Sequence, residues 1–321
     1  MAARSLHVRL MSALSPAAAR HEETRIMVAE NTRDLALERR LAAHLKGARI
    51  GQPVHAFRLV GSTMEVAHAL AADGTPEGTL VWAAQQRQGR GRRGRVWESP
   101  EGGVYGSLIL RPRRSRGEIP QLSLVAGLSV AEAIRETTRL YPSVRWPNDL
   151  LLEGKKVCGI LVEAKGRAVI VGIGINMTTR LKDLPDHATS LRAAGARNAS
   201  LYRLTGVLCR RFEGWYDKWI SEGFAPIHEA LRPWMGLFGQ DVQITTGQRT
   251  APPARSVQEP PAPASVTGGP GGRASTRHTA THTQHPVQGQ AIDIDERGRL
   301  LVRLDAGVIR AFEVGEVAPL Q

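Results

Sequence analysis

The chain has 321 residues, 42% of them hydrophobic and 23% charged, a globular composition long enough for one large domain or two ordinary ones. Its apolar runs, such as 106–110 and 169–175, are too short to span a bilayer, and two cysteines, Cys158 and Cys209, cannot build a disulfide framework, which points to a reducing cytoplasm. The net charge of +13 is concentrated: nine arginines lie between Arg87 and Arg116 against only Glu98 and Glu101, whereas duplex binding needs a spread basic stripe, so a small phosphate-bearing ligand fits better.

The first twenty residues carry Arg4, Arg9 and Arg20 without an acid; their short apolar stretch is interrupted by Ser12, and we read it as a ragged start rather than a targeting signal. Residues 31–46 read as a helix with Leu35, Leu41 and Leu45 on one stripe, and nothing before residue 55 offers a helix-turn-helix. Strands and helices then alternate. Strands are expected at 57–60, 79–84, 105–111, 144–146, 156–163 and 168–175, and helices at 62–70, 123–140 and 201–219. The stripe of the 123–140 helix is Leu124, Leu128, Ala131 and Ile134; that of the last helix is Leu204, Leu208, Phe212, Trp215 and Trp219.

Residues 249–288 are rich in Pro, Ala, Thr, Gly and His and have almost no large apolar side chain, which predicts a disordered insertion. His278, His282 and His285 lack the Cys or carboxylate company of a held metal site, so no protein-only metal site is expected. Strands at 242–245, 291–294, 300–304 and 308–312 around the insertion predict a small antiparallel barrel. The expected organisation is an N-terminal extension with one helix over 1–52, a mixed α/β domain over 53–235, and a barrel over 236–321 interrupted by 249–288.

Several segments carry candidate chemistry. Gly89-Arg90-Gly91-Arg92-Arg93-Gly94 matches G-x-G-x-x-G, but Arg95-Val96-Trp97-Glu98-Ser99-Pro100 cannot open a dinucleotide-binding helix, and no kinase motif accompanies it. A flexible loop remains whose arginines repel one another until an anion arrives. Ser62 with Glu65 forms a capping-box pattern, and a hydroxyl there can also meet a ligand. Asn148 and Asp149 follow a Pro-terminated strand, as in an Asx turn or a ligand contact. Lys156 enters an apolar strand, costly for an ammonium without an anion, while Cys158 reads as packing. Gly172 and Gly174 share one strand face, where glycine costs stability unless another body lies against it, and Asn176 ends that strand with an amide able to pair with an adenine edge.

In order, Gly61-Ser62-Thr63-Met64, Gln86 to Trp97, Arg145-Trp146-Pro147-Asn148-Asp149, Lys155 to Glu163 and Gly172 to Asn176 resemble the biotin–protein ligases over about 32–248 and 287–321. The resemblance implies an α+β fold: a mixed sheet flanked by helices, class II synthetase-like, with a small SH3-like C-terminal β-barrel. It implies ATP-dependent attachment of biotin to a lysine of a biotin carboxyl carrier protein through biotinyl-5'-AMP, with ATP, biotin and Mg2+ taking part. By resemblance Ser62, Thr63, Gln86, Gly89, Arg90, Trp97, Lys156, Gly159, Ile160, Gly172 and Gly174 bind biotin. Arg90, Arg92, Arg93, Arg95, Asn148 and Asn176 bind ATP; Lys156, Arg92, Arg95 and Asp149 are catalytic, Asp149 steering the acceptor lysine. The arginine loop is expected to close as a lid, keeping water from an acyl-phosphate anhydride.

The sequence departs from the family at Met64, where Asn is frequent, and at Gln85 and Arg87, which replace the usual neighbours of Gln86. The short N-terminus predicts no repressor-type DNA-binding domain, hence no specific DNA binding; no membrane partner is expected, and a homodimer is left open. A lipoate– or octanoate–protein ligase of the same fold and a biotin-responsive transcription regulator are the competing readings. A general RNA-binding protein is a third, disfavoured because the aromatic residues do not interleave with the basic cluster.

Overall fold

A computed structural model of the chain describes residues 33–245, 286–305, 307–313 and 315–320. The chain enters through α1 (Leu35–His44), capped by Asp34, whose Oδ1 accepts from the backbone N–H groups of Ala36 and Leu37 at 3.0 Å each. Leu41 and Leu45 are fully buried, but Leu35 is exposed, so the buried part of the expected stripe begins at Leu41. This helix falls in the expected N-terminal extension, and its Leu41 and Leu45 are part of the main core.

The first sheet has seven strands: β1 (Val54–Val60), β2 (Leu80–Gln86), β3 (Gly103–Leu110), β4 (Ser143–Arg145), β5 (Asp149–Leu152), β6 (Lys155–Lys165) and β7 (Ala168–Asn176). Their spatial order is β1-β2-β3-β7-β6-β5-β4. Only β1 and β2 are parallel, and α2 (Thr63–Ala72) supplies the crossover such a pair needs. The mixed sheet is therefore as expected. Strand β7 lies at its centre with every residue buried, which is why it reads as a continuous apolar run rather than an alternating one.

One face is covered by α3 (Leu122–Thr138) and α4 (Leu201–Glu222). Leu124, Leu128, Ala131 and Ile134 of α3 are buried as their spacing predicts. In α4, Leu204, Leu208, Phe212 and Trp219 are buried, while Trp215 is half-exposed and donates from Nε1 to Glu132 at 2.9 Å. The opposite face is covered by α2, whose Met64, Val66, Ala67, Leu70 and Ala71 form a second cluster with Phe57, Val81 and Ile170.

A short helix, α5 (Ala225–Leu231), leads to an antiparallel sheet of β8 (Asp241–Thr245), β9 (Val287–Ile294), β10 (Leu300–Arg303), β11 (Ile309–Phe312) and β12 (Glu316–Pro319), in the order β11-β10-β9-β8-β12. This antiparallel sheet is consistent with the expected SH3-like domain and adds one strand, β12, that patterning did not reveal. Strand β9 begins at Val287, two residues inside the expected insertion; the rest of that segment, with His278, His282 and His285, lies outside the described residues apart from 286. The two sheets share one core: Ile244, Ala291, Leu300 and Val302 join the cluster that holds Val171 and Leu128. Polar contacts reinforce the join. Trp146 Nε1 donates to the Gly298 carbonyl at 2.9 Å, and His228 Nε2 lies 2.9 Å from Asp293 Oδ1.

Among the described residues no helix is long and apolar enough to cross a membrane. Cys158 and Cys209 are buried free thiols, and burial pushes Cys209 up to about 12, as packing residues require.

Candidate active site

A cavity of about 500 Å³ opens between the α2 face of the large sheet and strand β12, walled in part by Thr63, Gln86, Arg92, Asn148, Lys156 and Asn176. Its floor is glycine. Strand register places Gly159 opposite Gly174 and Leu161 opposite Gly172. A Cβ at Gly174 would stand 2.5 Å from Trp97 Nε1, one at Gly159 2.8 Å from the same indole ring, and one at Gly172 2.5 Å from Met64 Sδ. The bodies that require these glycines are thus Trp97 and Met64, side chains of the protein itself, where the sequence left a ligand or a backbone segment as the reason. Ile160 borders the same space.

The N-terminus of α2 is built differently from the expected capping box. Ser62 occupies the N-cap position, but its hydroxyl makes no cap bond. Gln86 does the capping: its Oε1 accepts from the Thr63 backbone N–H at 2.8 Å and from the Thr63 hydroxyl at 3.1 Å. Gln86 Nε2 donates to Ser99 Oγ at 2.8 Å, and Ser107 donates to Thr63 Oγ1 at 2.9 Å. Ser62 Oγ is left buried without a partner; Ser62 is not on the cavity wall, but its neighbour Thr63 is. A buried hydroxyl without a hydrogen bond costs free energy that a ligand can recover.

The arginine loop is an ordered hairpin. Trp97 N–H donates to the Gly89 carbonyl at 2.8 Å, Gly91 N–H to the Arg95 carbonyl at 2.8 Å, and Arg93 turns at φ 58°. Gly89 is not on the cavity wall; a Cβ there would come within 2.2 Å of the Trp97 carbonyl, so its role is the hairpin's own closure. Mutual repulsion among the arginines is answered by protein carboxylates, against the expectation that only an anionic ligand would do so. Arg90 pairs with Glu163 at 2.7 Å, Arg93 lies 3.4 Å from Glu316, and Arg95 also pairs with Glu316 of β12. Arg92 is different: it donates to Asn148 Oδ1 at 2.7 Å and, among the described residues, has no carboxylate within ion-pair distance. Burial, and next the neighbouring Arg93, hold its pKa below the ordinary guanidinium value. Such a cation gains most from an arriving anion.

Lys156 enters the site at an irregularity in the β5–β6 ladder. Its backbone N–H donates to the His187 carbonyl and its carbonyl accepts from Thr189, both at 2.9 Å, which fixes its direction. Its Nζ lies 2.8 Å from Asp149 Oδ1 and 5.2 Å from the Trp97 ring centroid. Asp149 also faces Arg145 at 3.8 Å and accepts from Asn148 Nδ2 at 3.0 Å. Asn176 is buried; its Nδ2 donates to the Thr189 carbonyl at 3.1 Å, and its Oδ1 has no partner.

The structure therefore gathers the expected residues around one cavity, except that Ser62 and Gly89 are not on its wall. Sequence reasoning missed Glu163 and Glu316, which neutralise the loop, and Ser99 and Ser107, which brace Gln86 and Thr63. Their partners are distant in sequence, and Glu163 was visible only as the last residue of a motif. No group of three or more His, Cys, Asp or Glu able to hold a metal occurs among the described residues.

Comparisons with known proteins agree in kind. A family model described as the biotin/lipoate A/B protein ligase family matches residues 56–179, and one described as the biotin protein ligase C terminal domain matches 279–318. The bifunctional ligase/repressor BirA of Bacillus subtilis is 41% identical over 193 residues, 57% of this chain and 59% of its own length. The chain thus spans less than two thirds of the Bacillus relatives it matches. The biotin--[acetyl-CoA-carboxylase] ligase of Paracoccus denitrificans is 35% identical over 195 residues, 55% of this chain and 78% of the relative. Among solved structures, the biotin protein ligase from Aquifex aeolicus in complex with biotin and ATP superposes with a TM-score of 0.66 at 26% identity, covering 84% of this chain and all of the other.

Proposed function

The chain belongs to the biotin/lipoate A/B protein ligase family, and from that premise we propose that it activates biotin with ATP and transfers it to one lysine of a biotin carboxyl carrier protein. One observation carries the reading: the cavity joins a glycine-floored apolar end to a cationic end where Lys156 and Arg92, a cation without an ion-paired carboxylate among the described residues, converge. An apolar acid and a nucleotide phosphate need that pairing of environments. The match to a biotin-ligase C-terminal model, and the carboxylase named for the Paracoccus relative, support biotin and a carrier over lipoate.

In this mechanism the biotin ring lies toward Ser62, Thr63 and Gln86, with Trp97, itself seated on Gly159 and Gly174, as one wall and Ile160 and Gly172 bordering the same space. Its carboxylate attacks the α-phosphorus of ATP; an O–P bond forms, the bond to the bridging oxygen breaks, and pyrophosphate leaves. Two anions are brought together, so Lys156 and Arg92, pre-oriented by Asp149 and Asn148, stabilise the developing charge. Arg93 and Arg95 answer the remaining phosphate charge as the hairpin settles, Arg90 keeps its pair with Glu163 at the hairpin's base, and Asn176 Oδ1 accepts from the adenine amine. Magnesium accompanies the nucleotide as part of the substrate. The amine of the carrier lysine, steered by Asp149, then attacks the acyl carbon; a C–N bond forms, the C–O bond to AMP breaks, and AMP departs. Such a reaction belongs in the cytoplasm, where ATP and carrier meet.

ATP–pyrophosphate exchange with biotin, with lipoate and with neither tests this. Exchange dependent on biotin is the expected result; exchange with lipoate alone moves the assignment to lipoate activation, and none with either ends the reading. A second expectation concerns Ser62. Ser62→Ala removes a hydroxyl with no partner in the free protein, so thermal stability holds or rises by up to about 1 kcal/mol, while the KM for biotin rises about tenfold. An unchanged KM would remove Ser62 from the ring site.

A further inference from the structure

Glu163 sits on the same face of β6 as Gly159 and Leu161, since alternate residues share a face, and so stands at the end of the cavity floor. Its carboxylate is shared between two elements. Oε1 accepts from Arg90 Nη2 at 2.7 Å, and Oε2 lies 2.9 Å from His68 Nε2. His68 belongs to α2, the helix whose first turn carries Thr63 and Met64; Arg90 begins the hairpin that carries Arg92 and Trp97. His68 and Glu163 are mostly buried, with side-chain exposures of 17% and 27%, so both oxygens are held in fixed directions.

The hairpin's other holds include the hydrogen bond from Arg92 to Asn148 at 2.7 Å and the seat of Trp97 on Gly159 and Gly174. Its tip is pinned by Glu316 of the second sheet, and its two strands are joined to each other. Arg90 to Glu163 is the ion pair that ties its base to the large sheet. We propose that Glu163 is a positioning residue: oriented by His68, it acts through Arg90 to hold the hairpin over the cavity and so retains the activated intermediate. Retention of an adenylate rests on the ligase reading above; the hold on the hairpin does not.

Trypsin reads that hold directly, because the hairpin offers Arg90, Arg92, Arg93 and Arg95 as cleavage sites. Cleavage of a transiently opened segment follows the population of its open form. In the full-length protein, E163Q is expected to raise cleavage within the hairpin by about three- to tenfold, the range for a partly buried charge-assisted hydrogen bond, with cleavage elsewhere unchanged. R90Q should reproduce the effect at Arg92, Arg93 and Arg95, and the double variant should go no further than either single one. With biotin and ATP, E163Q should release AMP without carrier faster by a similar factor.

Hairpin cleavage of E163Q at the wild-type rate, or an additive double variant, overturns the proposal. If E163Q is cut throughout its length because it fails to fold, the surface variant R90Q decides alone, and a wild-type rate there overturns it equally. A wild-type protein without biotin-dependent exchange would end the ligase reading and leave the trypsin comparison valid. His68→Gln, which keeps an amide donor, should hold closer to wild type than His68→Leu.

Discussion

Lys156→Ala is expected to lower biotin-dependent pyrophosphate exchange by at least about a thousandfold while leaving the fold intact. The size follows from charge placement. Lys156 Nζ stands 2.8 Å from Asp149, and the nearest other cation to that carboxylate is Arg145 at 3.8 Å. Removing the ammonium takes away a stabiliser of the attacking carboxylate and α-phosphate, and exposes both to the half-neutralised Asp149. Fold stability depends on it much less. The pair is partly solvated, so its loss is worth about 1 kcal/mol after screening, and the strand is fixed by backbone bonds to His187 and Thr189. Exchange kinetics alongside thermal melting by circular dichroism check both halves; activity near wild type would remove Lys156 from the reaction.

Gly89→Ala should produce the other large effect, of opposite kind: activation continues but the product escapes. The added Cβ would lie 2.2 Å from the Trp97 carbonyl oxygen and 2.6 Å from Ser99 Oγ. The first neighbour is backbone and cannot rotate away. The hairpin therefore opens at its base, breaking the 2.8 Å bond from Trp97 N–H to the Gly89 carbonyl and shifting the indole off Gly159 and Gly174. Carrier-independent AMP release should rise tenfold or more, given that closure excludes water from the anhydride. Gly94→Ala is the internal control. It has open space around it and only a left-handed φ of 73°, so it should cost about 1 kcal/mol locally and leak little. Retention by the Gly89 variant equal to wild type would show that the hairpin is no lid.

The large sheet was legible because its strands are apolar runs bounded by turn residues, and α3 because its stripe repeats at helical spacing over 17 residues. The four-residue strands β5 and β12 are too short to show a period, and α5 carries Pro226 in its first turn. Most residues on the cavity wall could be named from motifs. What the motifs concealed was which partner each residue takes. Ser62 looks like a cap because Glu65 follows it, yet the cap comes from Gln86, 23 positions beyond Thr63. Four arginines in six residues look unneutralised because Glu163 and Glu316 lie far along the chain. Local sequence fixes which groups are present; pairing across strands decides which remain free for a ligand.

Heat reaches both sheets through one core. Leu41 near the start of the described chain, Val171 at the centre of the large sheet and Val302 in the small one are buried in a single apolar cluster. Neither sheet keeps its apolar surface covered once the other has melted, so unfolding is expected to be shared rather than sequential. Glu316 and the arginine hairpin it pins are then lost together or kept together. A cavity made at Leu41, on the far side of the large sheet from the glycine floor, would act on the site by shrinking the fraction of molecules in which it exists.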